Sequence, residues 1–71
     1  MNENLAKYRR FVKLSQRQMA EIAGIGLTAY RYKESGDGNF TQEEIVKIYL
    51  FLKEKIPNLT IEQLFFNNLV I

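Results

Sequence analysis

Apolar residues recur along this chain at helical spacing, and no stretch shows the strict alternation that a half-buried strand requires. Leu5, Tyr8 and Val12 fall on one face at i, i+3 and i+7, and Phe11 widens that face. Asn2 or Asn4 is placed to cap the first helix that they predict. Ser15-Gln16-Arg17-Gln18 has the form of a capping box, in which two side chains satisfy each other's free backbone N–H groups. Met19, Ala20 and Ala23 form the inner face of the second helix. Gly24 ends it, because glycine enters the left-handed cap conformation without penalty. Gly24-Ile25-Gly26 makes a tight turn with Ile25 as its apolar plug, and a third helix is predicted over residues 27–35, stopping at Gly36. A second box, Thr41 to Glu44, opens a fourth helix with the inner stripe Ile45, Ile48, Tyr49, Leu52 and Ile56. Pro57 and Asn58 break that helix. A third box, Thr60 to Gln63, starts a short fifth helix through Leu64 and Phe65. The predicted fold class is all-α, a compact bundle of five helices.

More apolar residues are present than these stripes use. Val46, Leu50 and Phe51 lie beyond the inner stripe of the fourth helix, whose outer face should be polar in a monomer. Phe65, Phe66, Leu69, Val70 and Ile71 crowd the end of the chain. At 71 residues the chain is expected to form one domain, 1–71, and a domain this small buries only about 60% of the surface its unfolded chain exposes. Two outcomes follow. The fourth helix or the apolar C-terminus (Phe51, Phe65, Phe66, Leu69, Ile71) joins two copies as a homodimer, or the tail, 66–71, folds back over the small core.

Composition narrows the chemistry. The chain has no Cys and no His, which removes disulfides, thiol catalysis and most zinc sites. No Gly-rich phosphate loop is present, and the Glu43-Glu44 pair sits where acids simply favour a helix N-terminus. No enzyme activity and no cofactor are expected. No apolar run approaches the roughly 20 residues that span a membrane, and the N-terminus lacks a signal-peptide core, so a cytoplasmic protein with no membrane or small-molecule partner is expected. Net charge is only +2, but it is divided unevenly. Residues 1–33 carry Lys7, Arg9, Arg10, Lys13, Arg17, Arg31 and Lys33 against Glu3 and Glu21, a net +5. Residues 34–71 carry three lysines against six acids, a net −3. A basic half beside an acidic half suits one polyanion-facing side, although ordinary solvated surface gives the same imbalance.

Leu14-Ser15-Gln16, Ala20, Gly24-Ile25, Glu34, Gly36, Thr41 and the Ile45/Ile48/Leu52 stripe together resemble the helix-turn-helix family of phage Cro and CI repressors, over about residues 4–65. The resemblance implies a lambda-repressor-like DNA-binding domain, with the helix-turn-helix at about residues 15–35 and the third helix laid in the major groove of operator DNA. By position it implies that Gln16 meets a DNA phosphate with Arg17 beside it. Leu27, Thr28, Arg31, Tyr32 and Lys33 then face DNA or a partner, and Arg9 and Glu34 form a partly buried pair tying the first helix to the third. Short length, the ESG…FTQEEI segment and the Phe65-Phe66 pair are also similar to small early regulators of Gram-positive temperate phages. Some of these are Cro-like repressors that oppose the CI repressor in the bacterial host. Another kind, the modulator of repression, acts as an anti-repressor by binding the CI-type repressor protein.

The reading face is poor in base-reading groups. Arg reads guanine and Asn or Gln reads adenine through paired hydrogen bonds. Leu27 and Ala29 offer at most contact with thymine methyls, Thr28 one modest hydrogen bond, and Arg31 is the single strong reader. Gly26 stands where the family often has a Ser or Thr cap, and Lys33 where it often has an aromatic or apolar residue, while Tyr30 is expected to point into the core. The sequence therefore supports two readings. One is a regulator that binds operator DNA itself, and the other is a protein-interaction module that keeps the helix-turn-helix shape.

Overall fold

A computed structural model describes residues 3–66 of the chain, the side chains of Glu3 and Phe66 excepted. The described residues form α1 (Glu3–Phe11), α2 (Gln16–Ala23), α3 (Leu27–Glu34), α4 (Gln42–Lys55) and a short closing helix α5 (Glu62–Phe66) wound with π-type turns. They contain no strand. The fold is all-α, with α2 and α3 as the helix-turn-helix.

The chain's own stop and start signals set these boundaries. Ser15 accepts a hydrogen bond from the Gln18 backbone N–H and Gln18 returns one to the Ser15 N–H, at 3.0 and 2.8 Å. Thr41 with Glu44 and Thr60 with Gln63 repeat the arrangement at α4 and α5. Gly24 and Gly36 end α2 and α3 in the left-handed region, with φ of 79° and 96°. The end of α1 is different. Lys13 takes φ 63°, its N–H reaches the Arg10 carbonyl, and the Leu14 N–H reaches that of Arg9. This is the paired hydrogen-bond pattern of a Schellman turn, built on a residue with a Cβ.

Leu5, Met19, Ala20, Ala23, Tyr30, Ile48, Leu52, Leu59 and Leu64 form one buried core drawn from all five helices and the loop before α5. Ala20 and Ala23 are small where α2 packs against both α3 and α4. Phe40 packs at a tilt against Tyr30 and edge-on against Phe65, with ring centroids 5.8 and 5.6 Å apart, so the loop between α3 and α4 closes one end of the core.

Four expectations change. Asn4 lies within α1, and its side chain donates to the Gln63 carbonyl of α5 instead of capping α1. Asn2 lies outside the described residues. Phe11 does not widen the inner face and is 72% exposed. It sits roughly 120° around the helix from Leu5 at 100° per residue, and Arg9 takes the inward place. Phe51 and Phe65 are not free apolar surface, because both pack against the core, and the outer face of α4 is left to Val46 and Leu50. Leu69, Val70 and Ile71 lie outside the described residues.

Candidate nucleic-acid interface

Helical spacing divides α3 into two faces. Tyr30 and Glu34, four residues apart, turn inward and are buried. Leu27, Thr28, Arg31 and Tyr32 turn outward. Thr28, Arg31 and Tyr32 are exposed and Leu27 is half-buried. Tyr32 is the most exposed aromatic side chain of this face, at 57%. No side chain caps α3 at Gly26, so its first N–H groups face outward at the end that favours an anion.

Behind that face lies a hydrogen-bonded chain that runs from the core to the surface. Arg9 Nε donates to Glu34 Oε2 at 2.9 Å, and its terminal nitrogens reach Glu34 Oε1 and the Leu14 carbonyl. The Tyr30 hydroxyl donates to the same carboxylate. Gln16 Nε2, from the first turn of α2, donates to Glu34 Oε1 at 2.8 Å. Gln16 Oε1 in turn accepts from Arg31 Nε at 3.3 Å. The order is Arg9, Glu34, Gln16, Arg31, so a buried carboxylate orients an amide and the amide orients an exposed guanidinium. Glu34 and Tyr30 thus bear on the outer face without being on it.

The electrostatics agree with this geometry. Burial works to raise the Glu34 carboxyl, but hydrogen bonds from Arg9, Tyr30 and Gln16 outweigh it and hold the group below its ordinary range. Burial, and then the neighbouring Glu34 carboxylate, push the Tyr30 hydroxyl far up, so it stays protonated and donates. Every described buried side-chain nitrogen or oxygen has a partner. A buried pair of this kind does little for stability when intact, but losing one partner costs about 3–5 kcal/mol, because a charge is left buried alone.

The residues singled out from the sequence do not all share the outer face. Gln16, Arg17, Leu27, Thr28, Arg31 and Tyr32 lie on the α2–α3 surface, with Arg17 exposed beside Gln16. Arg9 and Glu34 lie behind it. Lys33 is set apart from that face. Its ammonium sits 2.8 and 3.1 Å from the two Glu44 oxygens, and its side chain is only 20% exposed. The position that often carries an aromatic in the family here holds α3 to the first turn of α4 by charge. No short-range pattern announces this pair, since Lys33 and Glu44 are eleven residues apart across a loop. Val46 and Leu50, one turn apart on α4, form a separate exposed apolar strip, with Leu50 at 58% exposure. Phe11 borders an open hollow of about 500 Å³ shared with Lys7, Tyr8, Arg10 and Ile56.

The chain is 42% identical over 59 residues to the cryptic phage CTXphi transcriptional repressor RstR of Vibrio cholerae serotype O1. It is a relative of a phage transcriptional repressor. That kinship is consistent with the Cro/CI-type likeness carried by Ser15-Gln16, Gly24-Ile25, Glu34 and Gly36. The aligned part is 83% of this chain and 53% of the relative, so the chain spans about half the length of that protein. No family model matches the chain, and no solved structure matches it. Among the described residues, no helix is long and apolar enough to cross a membrane.

Proposed function

We propose that the chain is a phage-type transcriptional regulator that binds operator DNA by laying α3 in the major groove. The observation that carries this reading is the coupling of Gln16 and Arg31 across the helix-turn-helix, which holds a guanidinium outward on α3 beside Thr28 and Tyr32. The relative named above supports it, being a phage transcriptional repressor 42% identical to this chain over 59 residues. Arg31 reads guanine or grips a phosphate, and Arg17 adds a phosphate contact from α2. Gln16 completes the set, its Nε2 keeping one N–H on Glu34 and giving the other to a phosphate. Base readout from so few polar groups is modest, and DNA shape supplies the remainder of the selectivity. Two copies joined through Val46 and Leu50 of α4 would read half-sites about 34–36 Å apart. In this role the protein is Cro-like and opposes a CI-type repressor in the host cytoplasm.

A second reading has its own observation. Tyr32 and Arg31 are the residue types that dominate protein interfaces, and they stand exposed beside Ala29 and Leu27. That face suits docking on a CI-type repressor as a modulator of repression.

The deciding experiment is fluorescence anisotropy of labelled DNA from the protein's own promoter region, with the protein alone and then with the neighbouring repressor. Binding by the protein alone, falling steeply with salt, is the expected result. No binding at low salt, with altered repressor binding on addition, overturns the DNA reading and favours the modulator.

A further inference from the structure

Tyr32 stands in the open, yet its ring has a seat. The ring edge lies over the backbone of Gly38, so close that a Cβ at position 38 would fall 2.6 Å from both Cδ2 and Cε2 of Tyr32. Carbon atoms prefer about 3.5–4.0 Å, so any side chain at 38 must displace the ring. Backbone conformation does not call for glycine here, because among the glycines only Gly24 and Gly36 take a positive φ. The close approach comes from the turn after α3. The Gly36 N–H binds the Lys33 carbonyl and the Asp37 N–H binds the Tyr32 carbonyl. The Ser35 hydroxyl lies 2.8 Å from the Tyr32 carbonyl and 3.1 Å from the Asp37 carboxylate. These bonds fold the loop back along α3 and bring Gly38 beneath the ring. The same Cβ would lie 3.5 Å from Cγ of the Lys33 stem, an ordinary contact, and Glu44 holds that stem in place.

We propose that Gly38 is a positioning residue for the binding face: its bare backbone holds the Tyr32 ring in one rotamer beside Arg31, so that the aromatic meets the DNA backbone already ordered. This rests on the DNA-binding reading above. Ordering one rotamer-rich side chain on binding costs roughly two- to tenfold in affinity, and the seat removes that cost in advance. The displaced group in Gly38→Ala is an exposed side chain, so the effect falls on the binding face rather than on the core.

The test is a double-mutant cycle on the full chain. DNA from the promoter region is titrated with wild type, Gly38→Ala, Tyr32→Ala and the double variant. The χ1 couplings of Tyr32 are measured by NMR wherever the tyrosine is present, and each thermal midpoint is recorded. The expected result is a roughly two- to tenfold loss for Gly38→Ala, no further loss when it is added to Tyr32→Ala, and a single χ1 rotamer in wild type that shifts or averages in Gly38→Ala. Equal losses in both backgrounds overturn the proposal, as does an averaged Tyr32 rotamer in wild type. A matching fall in thermal midpoint in both backgrounds marks a purely structural glycine and also overturns it. A fixed rotamer without DNA binding leaves the seat standing and removes the DNA reading instead.

Discussion

Lys13 carries backbone strain that a glycine would not. Its φ of 63° lies where an L-residue costs roughly 1–2 kcal/mol, since the Cβ crowds the next carbonyl. Glycine gives back part of that gain through the freedom it adds to the unfolded chain. Lys13→Gly is therefore expected to stabilise the fold by about 0.5–1 kcal/mol, read as a higher urea midpoint at unchanged slope. A lower midpoint would mean that the lysine side chain contributes more than its backbone costs. Sequence pattern did not reveal this turn, because a lysine gives no sign of a left-handed cap whereas Gly24 and Gly36 do. The Arg9–Glu34 pair was reached only through family resemblance, for neither residue stands out by spacing. Tyr30 was expected in the core and is there, and its hydroxyl reaches Glu34 one turn on within α3, whereas the bonds that Arg9 and Gln16 give the same carboxylate depend on three helices meeting.

At the scale of elements, α3 is fastened to its neighbours by two carboxylates, its own Glu34 toward α1 and α2, and Glu44 of α4, which holds Lys33 of α3. Burial works to raise the Glu44 carboxyl, and the Lys33 ammonium and the Thr41 backbone N–H outweigh it, so the group sits below its ordinary range, as Glu34 does. With the folded value below the unfolded one, the unfolded chain binds protons first as pH falls. The stabilisation is complete above the ordinary glutamate value of about 4.3 and is lost as pH falls through the lower folded-state values. Urea midpoints should hold from pH 7 down to about 5 and then decline. Glu44→Gln should lie below wild type at pH 7 and decline less steeply in acid, and parallel curves for the two proteins would refute the assignment. Helix boundaries were readable because Ser15, Thr41 and Thr60 each have their box partner three residues on. The outward turn of Phe11 and the inward turn of Phe51 were not readable, since helical spacing alone does not say how wide the buried stripe is.

At the scale of the whole molecule, the basic half and the α2–α3 surface coincide at Arg17 and Arg31, the two exposed arginines of the helix-turn-helix. Each phosphate that a cation neutralises contributes about 0.9 to the slope of log affinity against log salt. Arg17→Ala should therefore flatten that slope by about one without changing sequence preference, whereas Arg31→Ala should weaken preferred sites more than random DNA if Arg31 reads a base. Equal, salt-independent losses for both would contradict the assigned roles. The inward and outward residues of α3 were legible in the sequence from helical spacing. The seat under Tyr32 was not, because it depends on a loop returning to a helix. The chain from Arg9 through Glu34 and Gln16 to Arg31 also matters for genetics. In a screen for lost regulation, lesions at Arg9 and Glu34 will score with those at Arg31, so a phenotype alone will overstate how much of this small protein touches its target.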